Sequence, residues 1–181
     1  MDLMMHKFLL TGCSGGGKST LIEALAGRGI TTVPEPGRRA IPAAQAAGSD
    51  ALPWQNLSAF LADALELAHA DLARLKETAA PVVFDRGVLD AAVALRHHCG
   101  TPLDHSFRGA FPYASCVFVA PDWPDLFQVD AERRHSLQDA QAEYRRLLTA
   151  IRELRLEPVF LPRTTVADRV SFVMNAIRSR S

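Results

Sequence analysis

Apolar residues gather in five short runs along the chain, at 8–10, 30–33, 82–84, 116–119 and 159–161. Each has the length of a β-strand, and proline, glycine or charged positions lie close to every one. Between the runs the spacing changes. Leu57, Leu61, Ala64, Leu65, Ala68, Leu72 and Leu75 recur three and four residues apart, which predicts one long amphipathic helix over 57–77. Shorter helices are predicted over 20–26 and over 90–98, the latter closed by Gly100 and Pro102. Residues 137–154 carry Leu147, Leu148, Ile151 and Leu154, and 166–178 place Val170, Val173, Met174 and Ile177 on one face. The stretch 41–53 is rich in alanine, glycine and proline and reads as a helix plus a mobile loop. Strands alternating with helices imply a three-layer α/β fold, a parallel sheet with helices on both faces. Right-handed crossovers then bring the carboxyl ends of the strands to one edge, where motif residues meet.

Neither an internal repeat nor a linker divides the 181 residues, so a single domain over 1–181 is expected, large enough to bury a real core. Twenty basic residues cancel twenty acidic ones. That balance argues against a nucleic-acid partner, and the lack of a basic amphipathic stretch argues against a membrane surface. The first residues lack the charged start and long apolar core of a signal peptide, and no uncharged run reaches transmembrane length. Cys13, Cys99 and Cys116 are odd in number and widely spaced. They match no zinc or redox pattern, so reduced thiols in a cytoplasmic protein are expected.

The chemistry concentrates first in Gly12-Cys13-Ser14-Gly15-Gly16-Gly17-Lys18-Ser19, which fits G-x-x-x-x-G-K-[ST]. It follows an apolar strand and opens a helix that continues through Thr20. Glycines let backbone N–H groups converge on an anion, and the helix end adds partial positive charge. Lys18 is expected on the β- and γ-phosphates and the Ser19 hydroxyl on Mg²⁺. As a plain turn, four glycines would cost entropy without return. The chain is therefore read as binding a nucleoside triphosphate, with Gly12, Ser14, Gly15, Gly16, Gly17, Lys18, Ser19 and Thr20 as the cradle.

Three further segments carry candidate chemistry. Glu35 stands between Pro34 and Pro36, held stiffly enough to accept the proton of an attacking hydroxyl. Arg38 and Arg39 follow and could grip an anion. The alternative is a proline-rich turn with solvated charges. The third run ends in Phe84-Asp85-Arg86-Gly87. A carboxylate at that strand end suits Mg²⁺, and Arg86 suits a phosphate oxygen. A buried ion pair is the plainer reading. Asp90 is either support for that site or a helix N-cap. After the fourth run, about 122–136, a mixed-charge stretch holds Arg133 and Arg134. Its position suits a lid whose arginine neutralises charge on a transferred phosphoryl group.

These pieces, in this order, resemble the P-loop kinase superfamily. Within it the chain is similar to the group often labelled AAA-type ATPase domains of the nicotinamide-riboside-kinase-like kind, including in its closing Leu161-Pro162-Arg163-Thr164-Thr165-Val166-Ala167-Asp168-Arg169-Val170. The resemblance implies a five-stranded parallel sheet of order 2-3-1-4-5 and ATP with Mg²⁺ as cofactors. It implies a base at Glu35, as in deoxynucleoside kinases, where a similar Glu-Pro ends the second strand. It also implies a magnesium role for Asp85, a phosphate role for Arg86 and a lid role for Arg133 or Arg134. Pro162, Arg163 and Thr164 would lie against the adenine. Asp-Arg-Gly stands where deoxynucleoside kinases carry Glu-Arg-Ser.

The leading expectation is a small-molecule kinase, in which Glu35 or Asp85 deprotonates the hydroxyl of an acceptor the sequence leaves unidentified. The alternative is a nucleotide-dependent ATPase or GTPase switch without an acceptor; no Asn-Lys-x-Asp sequence for guanine is present.

Overall fold

The computed structural model describes residues 6–123 and 137–180. Strands β1 (Lys7–Gly12), β2 (Thr31–Val33), β3 (Val82–Asp85), β4 (Cys116–Ala120) and β5 (Glu157–Phe160) form one sheet in the order β2-β3-β1-β4-β5. All four pairings are parallel. This is the order that the resemblance implies.

The central strands read as unbroken apolar runs because both faces of the sheet are covered. Leu9, Val82, Phe84, Val117 and Val119 point into one core, with Ala68 of α3 (Leu57–Arg74), Ala92 of α4 (Val88–Cys99) and Leu147 of α6 (Leu137–Glu153). Phe8, Leu10, Val83 and Phe118 point into the other. They meet Leu21 and Leu25 of α1 (Lys18–Ala26) and Val170, Val173 and Ile177 of α7 (Val166–Arg178). Alternate residues of each strand thus serve opposite helical layers.

Several boundaries differ from the sequence expectation. The proline-rich segment is not a turn. Pro36 is the first residue of α2 (Pro36–Ala47), a position where the missing N–H costs nothing and the fixed φ is already helical. The following segment does not behave as a loose loop, since Ala51 and Leu52 are buried against Ala44. The Asn56 side chain then caps α3 by accepting from the Ala59 N–H at 3.2 Å. Helix α4 begins at Val88 with Gly87 as its N-cap, so Asp90 lies within the first turn and is not the cap. A short α5 (Leu103–Phe107) was not foreseen. Among the described residues no helix is long and apolar enough to cross a membrane, and all three cysteines are free.

Candidate active site

The phosphate loop grows out of the centre of the sheet. Gly12 ends β1 at φ 118°, and a side chain there would meet the Ala120 carbonyl oxygen at 2.2 Å. Only glycine lets β1 and β4 close beneath the loop. The Cys13 N–H donates to the Ala120 carbonyl at 3.2 Å and the Gly16 N–H to the Cys13 carbonyl at 3.1 Å. The chain then passes through Ser14, Gly15, Gly16 and left-handed Gly17 into α1, which starts at Lys18. No side chain caps that helix start. Its unmet N–H groups and partial positive charge suit an anion. Ser19 is half-buried and Thr20 exposed in the first turn.

Lys18 is buried, with its ammonium donating to the carbonyls of Gly12 (3.0 Å) and Cys13 (2.8 Å). Burial, reinforced by the Arg86 charge, lowers its pKa to about 8 against the pull of Asp85, Glu35 and Asp90. Asp85, Glu35, Asp90 and Arg86 thus all act electrostatically on the loop lysine.

Asp85 ends β3 beside Leu10 of β1. It is buried, and its Oδ1 has no hydrogen-bond partner. Burial and then the Glu35 charge raise its pKa. A buried carboxylate oxygen without a donor is costly unless a cation or proton meets it.

Arg86 takes φ 60°, a left-handed conformation that costs a non-glycine residue about 1 kcal/mol or more. Its N–H is fixed to the Leu10 carbonyl at 2.8 Å. The side chain is held by three carboxylates, Glu143 of α6 at 2.8 Å, Asp90 of α4 at 3.1 Å and Glu35 at 3.4 Å. Asp90 Oδ1 also accepts from the Thr11 hydroxyl at 2.5 Å. Burial raises the Asp90 pKa to about 6, with Arg86 and Thr11 opposing.

Glu35 is the N-cap residue of α2 and keeps 24% of its side chain exposed, between Arg86 and Arg38 (3.3 Å). Arg39 does not face the loop. It forms an ion pair with Asp71 and so ties α2 to α3. Cys13 is buried, its thiol pushed up to about 11 by burial and then by Asp122. It is a packing residue and not a reactive thiol.

Pro162, Arg163 and Thr164 sit on the other flank of the loop. The exposed Arg163 donates to the Asp122 carbonyl, while the Thr164 and Thr165 hydroxyls donate to Asp168 at 2.9 and 2.7 Å and close the start of α7. Arg133 and Arg134, with most of the expected lid, lie outside the described residues.

Sequence reasoning missed Thr11, Glu143 and Arg169. The first two carry no local signal. Arg169 does, because a cation four residues before Val173 falls on the apolar stripe of α7.

A glycine-rich loop between a buried strand and a helix, beside an acidic strand end in a 2-3-1-4-5 parallel sheet, defines a P-loop NTPase of kinase architecture. Residues 7–169 match the AAA domain family, and the chain belongs to it. Solved structures share the fold. Shikimate kinase from Acinetobacter baumannii, in complex with shikimate, is 17% identical with a TM-score of 0.55, over 97% of this chain and 94% of that one. Deoxyadenosine kinase from M. mycoides with bound dATP is 12% identical with a TM-score of 0.57, over 95% and 99%. No curated protein matches the chain in sequence.

Proposed function

We propose that the protein is an ATP-dependent phosphotransferase that moves the γ-phosphoryl group to a hydroxyl of a small acceptor. The observation that carries this reading is the pair of carboxylates beside Lys18. Asp85 is buried with a free oxygen, and Glu35 reaches in from the start of α2 with part of its side chain open to solvent. Two carboxylates in such different surroundings suit two roles. The two solved structures named above are kinases, one solved with the small molecule shikimate.

The residues fit Mg²⁺. Asp85 offers an unmet buried oxygen and Ser19 a hydroxyl at the start of α1. Among the described residues no cluster of three or more histidine, cysteine, aspartate or glutamate side chains would hold a metal alone. Asp85 and Ser19 would hold the ion together with the triphosphate, and it would offset the charge of the phosphates. The loop from Gly12 to Thr20 holds the phosphates, and Lys18 swings from its carbonyl partners to the β- and γ-oxygens. Pro162, Arg163 and Thr164 flank the adenine. Glu35 takes the acceptor proton, and its exposure gives the acceptor a way in. Arg86 sets the position of Glu35, and an arginine from Arg133 and Arg134 closes over the transferred group.

The test is incubation with ATP and Mg²⁺ against a panel of nucleosides, vitamins, sugars and hydroxy acids, with mass spectrometry of new phosphorylated products. A product whose yield depends on the acceptor supports the transferase. ATP hydrolysis that no panel member alters would instead mark a nucleotide switch.

A further inference from the structure

The largest side chain wholly buried in the described residues is not apolar. It is the guanidinium of Arg169, in the first turns of α7, 2% exposed. Among the described residues no carboxylate faces it. Its Nη2 donates to the Gly16 carbonyl at 2.9 Å, its Nε has no partner, and its central carbon lies 5.9 Å from the Trp123 ring centroid. A buried cation with one neutral acceptor and one aromatic face is a poor way to fill a core. An apolar side chain of the same volume would be neutral or better for stability.

The bond to Gly16 explains the residue. In a trans peptide the C=O of one residue and the N–H of the next point opposite ways. Drawing the Gly16 carbonyl toward α7 turns the Gly17 N–H away from α7. Gly16 is also closely packed against the end of β4. A side chain there would meet the Pro121 carbonyl at 2.8 Å and the Ala120 Cβ at 3.0 Å. The loop is thus wedged between the end of β4 and Arg169. Trp123, whose ring lies under the same guanidinium, is the last described residue before 124–136. The preceding residue is also fixed, with the Gln141 amide donating to Asp122 at 2.8 Å and Arg163 donating to the Asp122 carbonyl.

We infer that Arg169 is a positioning residue for triphosphate binding, orienting the Gly16–Gly17 peptide toward the phosphates and linking the loop to Trp123 at the root of 124–136. This rests on the phosphate-loop reading above. One guanidinium then has two jobs that an apolar residue cannot do, holding a carbonyl and offering its charge to an indole face.

The chain has two tryptophans, and Trp54 is 51% exposed. In a Trp54→Phe background, Trp123 is the only tryptophan reporter. Mg²⁺·ATP is titrated by calorimetry and by Trp123 emission, alongside a thermal melt. ATP should bind and shift the emission. Arg169→Met should weaken ATP binding roughly 10- to 100-fold, the range for a hydrogen bond from a charged group, and abolish the emission response. Arg169→Lys can still donate to Gly16 but presents no planar cation to the Trp123 ring. It should recover much of the affinity and none of the response. Folded Arg169→Met with wild-type affinity and response would overturn the inference and leave Arg169 a space-filler. If Arg169→Met does not fold, Arg169→Lys decides, and a wild-type emission response in it overturns the link to Trp123. Absence of ATP binding in the Trp54→Phe parent would instead sink the phosphate-loop reading.

Discussion

Arg86 donates to Glu143 at 2.8 Å and thereby joins the end of β3 to α6, the helix that follows 124–136. The same guanidinium meets Asp90 of α4 and Glu35 at the start of α2. One cation at a left-handed backbone position therefore holds four elements around the loop. Its partners are unequal. Glu143 keeps 39% of its side chain exposed and Asp90 only 8%. Glu143→Gln should cost no more than about 1 kcal/mol, as for solvent-screened pairs. Arg86→Met strands a buried carboxylate and should cost about 3–5 kcal/mol. Urea unfolding of both variants checks this, and equal losses would show that the network is anchored on α6.

Asp90 gives the fold a pH dependence. Its folded pKa is raised from 3.8 to about 6 by burial. The folded chain then holds that proton more tightly than the unfolded chain. The contribution is full below about pH 4 and is lost as pH rises through about 6, on the order of 2–3 kcal/mol in all. Asp90→Asn removes the titration. Between pH 4 and 7 the variant should gain stability relative to the wild type by that amount. Parallel stability curves for the two proteins across this window would refute the assignment.

Lys18 works in the opposite sense. Burial lowers its pKa to about 8. A lysine with a depressed folded pKa costs stability as pH falls through that value, so at pH 7 the empty protein bears the whole cost. Lys18→Met should raise the stability of the empty chain by about 1–3 kcal/mol while removing most ATP affinity. A triphosphate would restore the lysine's counter-charge. Between pH 8 and 10, ATP binding to the wild type should therefore take up a proton, read by calorimetry in buffers of different ionisation enthalpy. Proton release, or none in that window, would separate Lys18 from the phosphates.

Much of this arrangement is legible in the sequence, for a physical reason. Central strands buried on both faces must be continuously apolar, so Phe8-Leu9-Leu10 and Val82-Val83-Phe84 announce themselves. The Gly12–Ser19 pattern has one strong structural use. The segment around Pro36 misleads because proline is as suited to the first position of a helix as to a turn. Nothing local distinguishes Glu143 from the other polar residues of α6, because its meaning comes from Arg86, 57 positions away. Arg169 is different. Its misfit on an apolar face is visible in the helical stripe, but its partner Gly16 lies 153 positions off.

The two carboxylates beside Lys18 can be told apart by isosteric substitution. Glu35 touches Arg86 and Arg38 and stays partly open, whereas Asp85 is buried with one oxygen that no donor meets. Asp85→Asn should stabilise the empty fold at pH 7, because burial already raises its pKa and the charged form is the costly one there. The same variant should lose response to Mg²⁺, read as a flat magnesium titration of turnover. Glu35→Gln should leave ATP affinity and magnesium response near wild type and slow transfer to the acceptor about 10²- to 10⁴-fold, the usual cost of removing a general base. The reverse pattern, with Glu35→Gln abolishing the magnesium response and Asp85→Asn slowing only transfer, would exchange the two roles. Wild-type transfer rates in Glu35→Gln would leave Asp85 as the base and Glu35 as the anchor of Arg86.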